Sequence, residues 1–346
     1  MRTLLVLAAL TLVALTPGTG FMTSANADNH KPNVLILTTG GTIASRTDAP
    51  LIDGHRLVQA VPELLDHAVI DVEEFSVIGS SRMTPDHWLR LAQRVNSIFD
   101  ERDDLHGIVI THGTDTMEET AYFLHLTVKS ERPVVVVGSM RSSNEISADG
   151  PANLVNAVRV AGNESAIGHG VLVVLNEDIS SARDVWKTDN RRVHTFSAQD
   201  LGHIGTVDPD GVRFYRKVLQ PHTTATEFDV AGDTALPGVA ILSDYTGLEP
   251  ALVESFADNP MEGLIVRTFA GGRMSAGMLE GLERIADRNI PTVVTSRVPG
   301  GRIVGAPDYP FSAVVADGQP DNKARILLML ALASEADDVQ KIFDTY

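Results

Sequence analysis

Short runs of branched aliphatic residues recur from residue 31 to the C-terminus, each closed by a polar or glycine-bearing stretch and followed by a segment of helical periodicity. That alternation constrains the fold more than any other feature, because it is the pattern of a parallel sheet covered by crossover helices. The spacing predicts strands over 33–38, 107–111, 133–138 and 171–175, with helices over 86–99, 116–129 and 151–161. A Pro-, Thr- and Asp-rich stretch follows, and then a second set, with strands over 239–242, 263–267, 292–296 and 312–315 and a helix over 322–335. A chain of 346 residues exceeds a usual single domain. The expectation is therefore an α/β fold of two domains with mainly parallel sheets. The larger N-terminal domain takes residues 31–207, a linker 208–235, and the smaller C-terminal domain 236–346.

The N-terminus carries Arg2, an apolar run from Leu4 to Leu15, Pro17, Gly18 and the small-residue site Ala25-Asn26-Ala27. This is the layout of a secretory signal peptide over residues 1–27, and the run is too short to span a bilayer. Cleavage would remove Arg2 and no acid, taking the formal charge from −17 to −18. The expected destination is the periplasm or the medium, with no membrane attachment after cleavage. So acidic a surface repels nucleic acid and anionic lipid. The absence of cysteine excludes disulfides, thiolate metal ligands and a cysteine nucleophile. The eleven histidines include no HxxxH or HxH pair, and no calcium or magnesium pattern is present, so neither a metal nor a cofactor is expected. Walker A, Rossmann and Gly-x-Ser-x-Gly signatures are missing as well.

In sheets of this kind ligands bind beyond the carboxyl ends of the strands, so the residues after each strand matter most. After the first comes TTGGTIAS, where Gly40 and Gly41 let the backbone approach a ligand closely and leave the Thr42 hydroxyl over the crevice. Taken alone, this stretch reads as a simple strand-to-helix turn. The segment GIVITHGTDTMEETAYFL is more telling. Ile108 to Ile110 read as strand, while Met117, Ala121, Leu124 and Val128 form one apolar helical face. Thr116 and Glu119 fit a capping box. Thr114 and Asp115 then stand at the helix mouth without a capping duty. Asp115 is favoured there as an anion and suits a substrate ammonium. Thr114 is a possible nucleophile that needs a base. Lys187, in SSARDVWKTDN, accepts a proton only if desolvation or a nearby cation lowers its pKa; otherwise it is a solvated charge. Ser80 and Ser81 in GSSRM are hydroxyl donors or a plain turn.

Together, TGGTIA (39–44) and HGTDTMEETAYFL (112–124) resemble the bacterial asparaginase and glutaminase-asparaginase family. The likeness continues through VVVVGSMR, SADGPANL, RDVWKT, TSRVPGG and KARILLMLAL, and with the leader it looks like the exported, type II branch. The resemblance implies hydrolysis of the side-chain amide of L-asparagine to L-aspartate and ammonia through an acyl-enzyme, with some L-glutamine activity. By motif, Thr42 matches the nucleophile, and Thr114, Asp115 and Lys187 a second catalytic group. Gly41, Ser80, Ser81 and Asp115 match substrate-binding positions, with backbone N–H groups beside Gly41, Thr42 and Thr114 as oxyanion donors. It also implies a homotetramer of close dimers. Three departures stand out. The stretch SRTDAPLIDGHRLVQAV lacks the family's loop tyrosine, Ser81 replaces a common glutamine, and the partner-subunit asparagine and glutamate have only Asp244 near the first position. The alternatives are an exported amino-acid-binding protein and an amidohydrolase for another small amide.

Overall fold

The computed structural model describes residues 31–40 and 54–346. The leader expected over 1–27, and Gly41 and Thr42, lie outside the described residues. The first sheet is built from β1 (Asn33–Gly40), β2 (Val69–Ile78), β3 (Leu105–Thr111), β4 (Val134–Val137), β5 (Val171–Leu175) and β6 (Asp178–Ser181). A separate hairpin of β7 (Trp186–Lys187) and β8 (Phe196–Ser197) follows, and then β9 (Gly205–Asp208) and β10 (Gly211–Phe214) rejoin the sheet. Its order is β10-β9-β6-β5-β4-β3-β1-β2. Strands β1 to β5 are mutually parallel, and β6, β9 and β10 extend the sheet by antiparallel pairing. The second sheet, β11 (Val239–Ser243), β12 (Gly263–Thr268), β13 (Thr292–Ser296) and β14 (Val314–Val315), is wholly parallel. The expected α/β class and the two sheets of unequal size are both present.

The central strands read as unbroken aliphatic runs because helices bury both their faces. Leu35, Leu37, Ile108, Ile110, Val134 and Val136 point to one side, where they meet α3 (Pro85–Glu101) and α4 (Met117–Thr127). Val34, Ile36, Val109, Val135 and Val137 point to the other, against α1 (Gly54–Gln59), α2 (Leu64–His67) and α5 (Gly150–Ala161). The parallel order β2-β1-β3-β4-β5 is doubly wound, with its switch point between β1 and β3, the place where sheets of this kind bind their ligands.

Crossover hand follows from these faces. β2-α3-β3 and β3-α4-β4 step the same way along the sheet with their helices on one face. β4-α5-β5 continues in that direction with its helix on the opposite face. Since parallel crossovers are right-handed in about 98% of cases, the unit containing α5 is the left-handed exception.

The smaller unit adds α6 (Pro250–Ala257), α7 (Ala276–Arg284), α8 (Asp321–Ala333) and α9 (Val339–Thr345). Helix α8 packs between α4 and its own sheet. As a result α4 is buried almost all round, rather than along the single face Met117, Ala121, Leu124 and Val128. Residues 211–214, expected as linker, form β10 on the sheet edge, and the strand expected over 312–315 shortens to Val314–Val315. Among the described residues no helix is long and apolar enough to cross a membrane.

Candidate active site

The connections that leave the carboxyl ends of β2 and β3 converge beside the end of β1. β1 ends at Gly40, whose φ of +106° suits only glycine; a Cβ there would lie 2.5 Å from the Ile78 carbonyl oxygen at the end of β2. Just before it, the Thr39 hydroxyl donates to the Thr111 carbonyl (2.8 Å), tying β1 to β3. After β2 comes a 3₁₀ turn, Ser80–Arg82, in which Ser80 is buried and Ser81 exposed.

The loop after β3 is bound to that turn. The Asp115 N–H donates to Ser80 Oγ (3.2 Å), and the Thr116 hydroxyl donates to the Ser80 carbonyl (2.9 Å). The expected capping box therefore does not form. Thr116 occupies the N-cap of α4, but its hydroxyl is spent on the neighbouring loop instead of on a helix N–H. Beneath the loop, His112 is fully buried, and burial pushes its imidazole down to about 4. Its Nδ1 lies 2.7 Å from the Gly113 carbonyl, which only accepts, so Nδ1 carries the proton. Nε2 then accepts from the Thr120 hydroxyl (2.9 Å), which itself accepts from Trp88 Nε1 (2.9 Å). This buried relay fixes the backbone that presents Thr114. From behind, Gly138 packs so closely that a Cβ would lie 2.6 Å from the His112 carbonyl oxygen and 3.2 Å from Thr114 Cγ2.

Lys187 arrives from β7. Its Nζ donates to Thr114 Oγ1 (2.9 Å) and to Asp115 Oδ1 (3.3 Å). Thr114 is buried and the Lys187 side chain only 19% exposed, while the Asp115 side chain is 63% exposed. A shielded hydroxyl–amine pair thus sits beside a carboxylate open to the crevice. Such an arrangement can move a proton to or from a bound molecule and hold a cationic group next to it.

Two further residues, absent from the sequence-based candidates, position Lys187. Lys323 of α8 is fully buried and donates to the carbonyls of Ala182 (2.9 Å), Arg183 (2.7 Å) and Val185 (2.6 Å), gripping the segment that leads into β7. Burial pushes its amine down to about 7, against the attraction of Glu118. Glu118 lies beside the backbone of Lys187, and burial raises its carboxyl above the usual range. The available signal was a lysine opening the largely apolar helical run KARILLMLAL.

Of the expected residues, Ser80, Thr114, Asp115 and Lys187 are brought together. Ser81 lies beside them on the same turn, and Gly41 and Thr42 fall outside the described residues. Asp244 is turned inward: both carboxylate oxygens accept from Ser275, from its N–H (2.6 Å) and its hydroxyl (2.7 Å). It is therefore engaged within its own chain.

Residues 33–220 match the family model described as Asparaginase, N-terminal, and residues 238–343 that described as Glutaminase/Asparaginase C-terminal domain. L-asparaginase 2 of Bacillus subtilis (strain 168) is 40% identical over 333 residues, covering 93% of this chain and 88% of that protein. A probable periplasmic L-asparaginase of Haemophilus influenzae is 38% identical over 328 residues, covering 91% and 93%. The crystal structure of a probable cytoplasmic L-asparaginase from Campylobacter jejuni aligns with a TM-score of 0.86 and 41% identity, over 91% of this chain and 100% of that one.

Proposed function

The chain belongs to the asparaginase family, and on that premise we propose that it hydrolyses the side-chain amide of L-asparagine to L-aspartate and ammonia through a threonine acyl-enzyme. The observation that carries this reading is Lys187 Nζ, 2.9 Å from Thr114 Oγ1 and 3.3 Å from Asp115 Oδ1, at the β1/β3 switch point. Thr42 is the nucleophile in this reading. Its oxygen attacks the amide carbon, and the tetrahedral oxyanion collapses with loss of ammonia, the leaving nitrogen taking up a proton. Water then cleaves the Thr42 ester to release aspartate. Thr114 and Lys187 relay the protons, and Asp115 holds the substrate ammonium, with Ser80 and Gly41 as further substrate-binding residues.

Glutamine is longer than asparagine by one methylene, a difference worth about 1–3 kcal/mol in a fitted pocket, so its turnover is reduced and not abolished. Ser81, shorter than glutamine, sets that ratio, and equal relative rates in wild type and Ser81→Gln would remove it from this role. We also propose export and assembly as a homotetramer. The leader-like N-terminus and the periplasmic Haemophilus relative support export, while the Campylobacter protein carries the opposite description. A secreted or periplasmic chain beginning near Asp28 and a tetrameric mass by light scattering are the expected results.

The deciding experiment is ammonia release across L-asparagine, L-glutamine, their D-forms and small peptides. Asparagine is expected to be the best substrate, with Thr42→Ala and Thr114→Ala folded and inactive. Release undiminished in either variant refutes the assignment. Binding without release from any amide would favour a capture protein.

A further inference from the structure

Towards the opposite end of the sheet from β2, a second polar cluster has no part in this reaction. Asp178 opens β6 opposite Leu175, the last residue of β5, and so lies on the same rim as the loops after β1 to β3. His203 precedes β9, whose Thr206 pairs with Asp178. His194 lies in the β7–β8 connection, which is closed by Thr188 N–H donating to the Thr195 carbonyl (2.7 Å) and Asp189 N–H donating to Thr195 Oγ1 (3.0 Å).

Both imidazole Nε2 atoms stand 3.5 Å from Asp178 Oδ2. That is too long for an ordinary N–H···O hydrogen bond. It does fit the edge of a coordination tetrahedron, since ligand bonds of 2.0–2.2 Å place neighbouring ligand atoms about 3.4 Å apart. The three ligand atoms all lie within 4.8 Å of one another. The other nitrogen of His203, Nδ1, is bonded to Ser180 Oγ (3.1 Å), which aims Nε2 at the carboxylate in the manner of an outer-shell partner. Burial raises the Asp178 carboxyl, the two histidines opposing the shift, so a cation there would offset a desolvation cost.

We propose that Asp178, His194 and His203 bind one borderline divalent transition-metal ion, of which Zn²⁺ is the best fit, with solvent completing the shell. Two imidazoles and one carboxylate suit zinc, copper or nickel and disfavour calcium and magnesium. The ion ties the hairpin that carries Lys187 to β6 and β9. Its role is conformational, and no step of the hydrolysis passes through it. Sequence spacing hides the set because its members meet only through strand pairing.

The test uses the untagged, chelator-stripped chain titrated with ZnCl₂ by calorimetry and with Co²⁺ by visible spectroscopy. Expected are one ion per chain, the bands of four-coordinate Co²⁺, and slower hydrogen exchange over residues 188–195. Both bands and stoichiometric uptake should be lost in His203→Ala. They should also be lost in His194→Ala, whose 65% exposed side chain can be removed without touching the core. Ser180→Ala should bind at least about tenfold more weakly. No uptake by wild type overturns the proposal, as does uptake of equal affinity and stoichiometry in the His194→Ala/His203→Ala chain.

Discussion

At the residue scale, the question is whether Lys187 acts as a base or merely as a counter-charge. Its Nζ contacts both a hydroxyl and a carboxylate, and either role would put it there. Arginine separates them: it keeps the cation but does not give up its proton in a protein. Lys187→Met and Lys187→Arg are both expected to lower kcat for asparagine by about 10²- to 10⁴-fold, the usual worth of a positioned base. Near-wild-type kcat in Lys187→Arg would leave only the charge as its contribution. Gly138 makes a complementary prediction, because the Cβ of alanine would press on a backbone oxygen that has no room to retreat. Gly138→Ala should destabilise the fold by about 1–3 kcal/mol in urea unfolding and lower kcat by displacing Thr114. An active, fully stable variant would show that the loop relaxes freely.

At the element scale, the second sheet's helix α8 reaches into the first through Lys323, whose three carbonyl bonds hold residues 182–185 while Glu118 lies beside the backbone of Lys187. Removing one member of a buried charge pair typically costs about 3–5 kcal/mol, because the other is left uncompensated. Lys323→Met should show that loss, and Lys323→Met/Glu118→Gln should recover part of it; strictly additive effects in the cycle would mean that the two do not interact. The same elements show what the sequence made readable. β1, β3, β4 and β5 were legible because burial on both faces demands aliphatic runs. β2 was not, since VIDVEEFSVI is an edge strand mixing carboxylates with apolar residues. Thr114 and Asp115 could be found locally, as polar residues stranded between strand and helix. Their meeting with Lys187, 73 positions from Thr114, depends on the α5 crossover, the β6 return and the Lys323 clamp, which no local periodicity encodes.

At the scale of the whole molecule, buried titratable groups set the pH range of stability. Burial pushes four histidines down, His112 to about 4 and His125, His169 and His222 also below their ordinary value. Between about 6.5 and its folded value each binds its proton more readily in the unfolded chain. Their contribution is therefore complete above about pH 6.5 and is lost on acidification; for His112 it amounts to about 3 kcal/mol by pH 4. Burial acts oppositely on carboxyls, raising Glu118 and Asp178 and taking Glu119 to about 7. These groups lower stability as pH rises towards 7, because the fold must then ionise a carboxyl that the unfolded chain ionises near 4.5. Over pH 4.5–6.5 the two sets act in opposite directions and partly cancel, so the unfolding free energy should slope less steeply there than the histidines alone would make it. Glu119→Gln exposes the cancellation. The variant should be more stable than wild type at pH 7.5, indistinguishable from it at pH 4.5, and visibly more acid-sensitive in between. Urea midpoints at five or so pH values decide it, and a variant-to-wild-type difference that does not change with pH would mean that the Glu119 carboxyl titrates alike in the folded and unfolded chain.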